Sequence, residues 1–161
     1  MGYTHYIYKN PKLDSDYFKW YAENVKKLLE NPVVPIVWEH DEPNKPPEIT
    51  NKLVRFNGVG DDGHETFFFE RDQAIESWAS NKEEAFMFCK TACKPYDVYV
   101  VACLLLAKLI FGNAVKISSD GTINDWQEGK KLIEEKLGLN LIFVNEEMDS
   151  VTSSQPLGNK V

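Results

Sequence analysis

The chain has 161 residues, a formal net charge of -7 and a hydrophobic fraction of 43%. This length fits a single domain with its own core, and the composition is far from the polar, highly charged composition of disordered chains. The negative charge repels phosphates, and the paired lysines lie among glutamates, so we expect no nucleic-acid partner.

The amino-terminal segment MGYTHYIYKNPK lacks the basic and apolar regions of a secretory signal peptide. Residues 3–8 are aromatic and β-branched and predict a first strand, which the Asn-Pro pair at residues 10–11 closes. The alternation of side chains along a strand places His5 on the same face as Tyr3 and Ile7. Apolar residues recur with helical spacing over residues 13–30, which predicts a first helix.

The middle of the chain predicts short strands separated by polar turns. Residues 33–38 form a weak extended segment because Pro35 interrupts it, and the DEPNKPP stretch at 41–47 predicts an exposed loop. Two strand-like segments, 52–56 and 65–71, flank the glycine-rich sequence NGVGDDGH. This pattern predicts a hairpin with an irregular loop.

The AFMFCK segment at 85–90 predicts a buried strand, and Pro95 suits the first turn of a following helix. That helix, at about 96–111, is apolar on nearly every face. Its longest uninterrupted apolar run, 98–107, is about half the length that a membrane span needs. We therefore predict a central, buried core helix and no membrane association.

The carboxyl-terminal third predicts a strand at 115–118, a third helix at 126–138 and a final strand at 139–144. Residues 145–161 are polar and lack periodicity, which predicts a flexible tail after a single globular domain at 1–144. The order of elements predicts an α+β fold, with a mixed, mostly antiparallel sheet and three helices.

Three cysteines cannot all pair within one chain, so the sequence predicts reduced thiols and a cytoplasmic location. Cys89 and Cys93 lack the further ligands that a structural zinc site needs, and Asp61, Asp62 and Glu65 do not have the spacing of an EF-hand. We expect neither a metal nor another cofactor.

Several short motifs resemble one family, and they occur in the same order and at compatible places in this chain: MGYTHY, FNG, ETF, FCKT, KPYD, and SSDG followed by DW. Together they resemble a family of uncharacterised bacterial and bacteriophage proteins that begin MGYTHY, over residues 1 to about 138. An arginine is common in that family where this chain has Cys93. The resemblance implies a shared fold and a microbial or viral setting, and it implies no particular activity.

Two kinds of site are compatible with the polar residues. Cys89, His64 and Asp97 supply the thiol, base and acid of a nucleophilic enzyme, although each also has a plain structural interpretation as a buried thiol, a loop residue and a first-turn acid. Lys90 and Thr91 lie between a strand and a helix start, where an anion could bind. Asp120 follows a strand in the SSDG turn, at another common ligand position.

The first functional hypothesis is a binding or regulatory protein that holds a small anionic ligand or a protein partner. Its predicted pocket contains six residues: His5, His64, Lys90, Thr91, Tyr96 and Asp120. The alternative is a small cysteine-dependent hydrolase or transferase with Cys89 as nucleophile and His64 as base. Self-association is a third hypothesis. The aromatic content suggests it, as does the need to bury the surface of the apolar helix.

Overall fold

A computed structural model describes residues 2–156 of the chain. It contains three α-helices, α1 (Ser15–Leu28), α2 (Asp97–Phe111) and α3 (Gln127–Leu137), together with several short antiparallel sheets. The predicted α+β class and the three predicted helices are therefore confirmed.

The strands divide into three sheets instead of one. Within the described residues they are β1 (Thr4–Lys9), β2 (Ile36–Val37), β3 (Glu48–Ile49), β4 (Leu53–Gly58), β5 (Phe67–Glu70), β6 (Ala85–Lys90), β7 (Val115–Ser119), β8 (Leu141–Phe143) and β9 (Val151–Ser153). The first sheet has the order β6-β1-β7. In the second, β4 pairs with β2, β3 and β5, and the third is the β8-β9 pair. Every one of these pairs is antiparallel.

Helix α2 lies at the centre of the core. Ten of its residues are buried, among them Leu104, Leu105 and Leu106, which have no exposed surface. The helix packs against α1 and α3 and against strands of the first and third sheets. Residues 97–114 are long and apolar enough to cross a membrane, yet just over half of that window is buried inside the protein. Helix α2 is thus a core helix of a compact domain.

The helix ends follow their local sequence. Asp14 caps α1 by accepting a hydrogen bond from the Tyr17 N–H at 2.9 Å. Gly112 and Gly138 terminate α2 and α3 with φ values of 57° and 67°, a conformation that favours glycine. Because a Cβ atom on Gly129 would lie 2.4 Å from Val101 Cγ1, this glycine allows α3 to approach α2 closely.

The predicted flexible tail is wrong for its described part. Strand β9, within that segment, pairs with β8, and Val151 is buried in the core at 6% exposure. The Asp149 carboxylate accepts a hydrogen bond from the Ile117 N–H and forms an ion pair with Lys108. The domain therefore extends beyond residue 144. Residues 157–161 of the predicted tail lie outside the described residues.

Candidate functional site

A buried chain of hydrogen bonds joins the start of α2 to the first sheet. His5 Nε2 lies 2.6 Å from Asp97 Oδ1, and His5 Nδ1 lies 2.8 Å from Ser119 Oγ. The Thr91 hydroxyl also donates to Asp97 Oδ1, at 2.5 Å. His5 and Thr91 have no exposed surface. Three parts of the chain that are far apart in sequence, at residues 5, 91–97 and 119, are thus joined through one carboxylate and one imidazole.

The arrangement resembles a serine triad, but the Ser119 hydroxyl is already fully bonded. Ser119 Oγ accepts hydrogen bonds from the Gly121 N–H at 2.9 Å and from Trp126 Nε1 at 3.4 Å. The proton of the Ser119 hydroxyl is then donated to His5 Nδ1, which acts as the acceptor. The proton of the imidazole is therefore on Nε2, and this N–H group donates to Asp97. His5 also packs edge to face against Tyr3 and Trp126. We interpret this network as one that positions the start of α2.

A cleft of about 460 Å³ lies beside this network. Its lining comes from the segment after β2, from the loop between β4 and β5, and from the turn before α2. We call it the His64 cleft and define it by seven residues: His40, Gly60, Asp61, Gly63, His64, Glu65 and Lys94.

The loop that carries His64 is built around a buried asparagine. Asn57 Oδ1 accepts hydrogen bonds from the Gly58 and His64 N–H groups, and its Nδ2 donates to the His64 carbonyl and to the Thr66 hydroxyl. A Cβ atom on Gly58 would lie 2.4 Å from the Asp62 carbonyl oxygen. Glycine is required at this position because the loop backbone at residue 58 lies directly against the backbone at residue 62.

Lys94 is held by a strained turn. Ala92 and Cys93 both have left-handed backbone conformations, with φ values of 52° and 57°. Such a conformation costs a non-glycine residue about 1–2 kcal/mol. Hydrogen bonds from Thr91 N and Ala92 N to the Tyr3 carbonyl hold the turn in place. The turn carries Lys94 away from β6 and toward the cleft.

The basic side chains of the cleft retain unused hydrogen-bonding groups. The Lys94 ammonium has no ion pair or hydrogen bond within residues 2–156, and the same is true of the His40 ring. His64 Nδ1 donates to the Lys90 carbonyl at 2.9 Å, which orients the ring and leaves Nε2 unbonded in the described part of the chain. The Glu65 carboxylate is already bonded to the Lys90 N–H.

A second, smaller cleft of about 230 Å³ shares Lys94 with the first. Tyr3, Cys93 and three carboxylates belong to its lining: Asp97, Asp125 and Glu128. Burial, reinforced by the charges of Asp97 and Asp125, raises the pKa of the Tyr3 hydroxyl to about 12. This cleft is acidic, and Lys94 lies between it and the His64 cleft.

Of the six predicted pocket residues, only His64 lines the His64 cleft. His5, Thr91 and Tyr96 are fully buried, and the Tyr96 hydroxyl donates to the Glu65 carbonyl. The other two, Lys90 and Asp120, are exposed outside the cleft, where Asp120 accepts hydrogen bonds from the Thr4 N–H and the Tyr6 hydroxyl. The predicted residues therefore lie near the start of α2, but most of them are structural or lie outside the cleft.

Sequence reasoning did not select His40 or Lys94. Lys94 had a signal, since it stands in the turn directly before the central helix, only four residues after the chosen Lys90. His40 had none. It reaches the cleft because its carbonyl accepts a 2.7 Å hydrogen bond from the Gly60 N–H, across twenty residues of sequence.

The proposed cysteine nucleophile does not have the surroundings that such a nucleophile requires. Cys89 has no exposed surface, and burial raises the pKa of its thiol to about 12, so the reactive thiolate is suppressed. Its sulfur donates weakly to the Glu65 carbonyl. The predicted partners are bonded elsewhere, His64 to the Lys90 carbonyl and Asp97 to His5.

Thiol labelling tests this arrangement. We expect an aromatic disulfide reagent to modify one thiol per folded chain at neutral pH, because Cys93 is exposed whereas Cys89 and Cys103 are buried. Three thiols should react in concentrated guanidinium chloride. The matched control is Cys93→Ser, which should abolish labelling of the folded protein. Rapid labelling of Cys89 in that variant would contradict the buried position described above.

Residues 2–156 contain no group of three or more histidine, cysteine, aspartate or glutamate side chains that could hold a metal ion. The two imidazoles and two carboxyl groups of the His64 cleft therefore do not form a metal centre within that range. The cleft provides instead an ammonium group, imidazole nitrogens and loop backbone.

Comparisons with models of known protein families, with curated proteins and with solved structures gave no match. The segments behind the family resemblance nevertheless converge in space. His5, from MGYTHY, and Asp97, from KPYD, are bonded to each other, and Ser119, from SSDG, bonds His5. Glu65, from ETF, bonds Lys90, from FCKT. One end of the domain therefore contains nearly all of these motifs.

Proposed function

We propose that this protein is a small binding module that holds a carboxylate- or phosphate-bearing ligand in the His64 cleft. The observation that supports this proposal is the unpaired Lys94 ammonium in a cleft that also contains two imidazole rings. Within residues 2–156 no carboxylate forms an ion pair with this ammonium, so it is available to an external anion. A charge-assisted hydrogen bond of this kind contributes about 1.5–3 kcal/mol.

The two carboxyl groups of the cleft still allow an anionic ligand to bind. Glu65 accepts the Lys90 N–H, so part of its hydrogen-bonding capacity is used within the protein. Asp61 lies on the exposed 3-10 turn at residues 60–62, where solvent screens its charge. Lys94, by contrast, is partly buried, and its electrostatic effect on a bound ligand is correspondingly larger.

The proposal includes no catalytic step. The Ser119 hydroxyl is saturated, and the Cys89 thiol is buried with a raised pKa, so neither is available as a nucleophile. We further propose a cytoplasmic location, because all three cysteines are free thiols. Membership of the MGYTHY family of bacterial and bacteriophage proteins also remains a proposal, as do the absence of nucleic-acid and membrane partners and the capacity to self-associate.

Substitution of Lys94 tests the anion site. We expect titration with inorganic phosphate or with citrate to shift the backbone amide NMR signals of residues 60–65 and 94. Lys94→Gln should weaken that binding by about tenfold or more, since it removes one charge-assisted contact.

Lys131→Gln is the matched control, because Lys131 lies on α3 with a 74% exposed side chain outside the His64 cleft. It removes the same charge from the whole protein and should leave the binding unchanged. Equal losses in both variants would indicate a general effect of net charge. The absence of any shift in the unmodified protein at millimolar anion would also contradict the proposal.

A further inference from the structure

The outer face of the first sheet displays a compact group of aromatic side chains. In the antiparallel register Tyr6 lies opposite Phe88, and Tyr8 lies opposite Phe86. The intervening residues of both strands, such as Ile7 and Cys89, point into the core. We call these four rings the aromatic face: Tyr6, Tyr8, Phe86 and Phe88.

The aromatic face is accessible to solvent. Phe88 is 54% exposed and Tyr8 is 43% exposed, whereas Tyr6 and Phe86 are half-buried. The rings contact one another, with centroids 4.8 Å apart for Tyr8 and Phe86 and 6.0 Å apart for Phe86 and Phe88. They therefore form one continuous surface rather than scattered apolar residues.

Polar groups border the aromatic face on two sides. The next row of the sheet places Lys90 opposite Thr4, and the backbone N–H of Asp120 bonds the Thr4 carbonyl. On the neighbouring strand β7, Ser118 lies opposite Tyr6 and Lys116 lies opposite Tyr8. An apolar platform with hydrogen-bonding groups at its rim can fix the orientation of a ligand as well as bind it.

The size of the aromatic face excludes a standard protein interface through these rings alone. With aromatic side chains of roughly 200 Å² each, Phe88 and Tyr8 together leave about 200 Å² accessible. A stable interface between two proteins buries about 800 Å² on each partner. The four rings lie on two neighbouring strands about 4.8 Å apart, and this spacing matches the width of a ligand of one or two small rings.

The charges around the aromatic face argue against a phosphate-bearing polymer. Lys116 is paired with Glu84 at 3.2 Å, and the Asp120 carboxylate accepts the Tyr6 hydroxyl. Lys90 and Asp120 border Thr4 from the two neighbouring strands, so one cation and one anion stand at that edge of the aromatic face, with little net charge. Single-stranded nucleic acids need a row of cations along the backbone as well as stacking rings.

We propose that the aromatic face binds an uncharged saccharide. The C–H groups of a sugar ring carry small positive partial charges that pack favourably on the negative faces of aromatic rings. The sugar hydroxyl groups can meanwhile bond Ser118, Asp120 and the Tyr6 hydroxyl. This site is on the opposite side of the sheet from His5 and is independent of the anion proposed for the His64 cleft.

Titration with neutral tetrasaccharides tests this inference, using the full chain and separate samples of maltotetraose, cellotetraose and chitotetraose. We expect at least one of them to shift the amide NMR signals of β1 and β6 at millimolar concentration. Phe88→Ala should weaken that binding about tenfold, because stacking on one ring contributes on the order of 1–1.5 kcal/mol. Trp78→Ala is the matched control, since Trp78 is 72% exposed but lies on the loop before β6.

Three results would overturn the saccharide inference. The first is the absence of shifts with all three sugars, and the second is equal binding by Phe88→Ala and the unmodified chain. The third is a response of β1 and β6 to single-stranded RNA or to a proline-rich peptide but to none of the sugars. Each of these leaves the anion proposal intact, because phosphate binding is read at residues 60–65 and 94.

Discussion

Replacing Asp97 by alanine is expected to lower the free energy of unfolding by about 3 kcal/mol, because two buried donors then lose their acceptor. These donors are His5 Nε2–H and the Thr91 hydroxyl, and both residues have no exposed surface. The substitution also removes an acidic residue from the first turn of α2, where the helix dipole stabilises negative charge. Urea denaturation followed by circular dichroism measures the change.

The matched variant for Asp97 is Asp97→Asn, which keeps an oxygen acceptor and removes the charge. We expect it to cost only about 1 kcal/mol, since the hydrogen bonds can persist. Equal losses in the two variants would show that the charge, rather than the hydrogen bonds, stabilises the network. A loss below about 0.5 kcal/mol in Asp97→Ala would contradict the buried network itself.

Replacing Leu104 by alanine is expected to lower the free energy of unfolding by about 3–5 kcal/mol. Leu104 lies in the middle of α2 with no exposed surface, so the substitution removes buried methyl groups and leaves a cavity. The surrounding helices α1 and α3 can collapse into that space only in part. The same denaturation experiment gives the value.

Val33→Ala is the control for Leu104→Ala, because Val33 is 88% exposed and its shortening should change stability by less than about 0.5 kcal/mol. A small effect of Leu104→Ala would mean that α2 does not form the protein core. In that case its apolar surface would require another explanation, such as contact with lipid or with a partner.

The two stability predictions concern the scaffold on which the proposed anion site depends. Asp97 fixes the start of α2, and Lys94 stands in the turn just before it. If the network around His5 is disrupted, the turn that presents Lys94 loses its support from the Tyr3 carbonyl and from Thr91. Asp97→Ala should therefore also weaken anion binding, whereas Leu104→Ala should affect mainly stability.

Elements with strong local patterns were predictable from sequence. The AFMFCK pattern predicted a buried strand at 85–90, and the structure has β6 at those residues, although as an edge strand with one exposed face. The apolar run predicted a central helix at about 96–111, and α2 occupies Asp97–Phe111. By contrast, β3 and β9 have two and three residues, and such short strands are stabilised by distant partners rather than by their own composition.

The candidate site was only partly predictable, for two physical reasons. The left-handed turn at Ala92 and Cys93 occurs without glycine, so the sequence contains no signal that the chain reverses there. Because of this reversal, Lys94 and not Lys90 lines the cleft. The second reason is that strand alternation indicates the face on which a residue lies but not the partners of its side chain. It places Lys9 on the same face as His5, and Lys9 is fully buried there, where it donates to the Glu70 carbonyl at 2.6 Å. Burial lowers the pKa of that lysine to about 8.

The sequence by itself determined the α+β class, the three helices and the apolar central helix, because these depend on spacing and propensity within short segments. Only the tertiary structure decided which polar side chains meet. His5 is bonded to both Asp97 and Ser119, although more than a hundred residues separate His5 from Ser119. Such contacts follow from how strands and helices pack, and no local pattern specifies them.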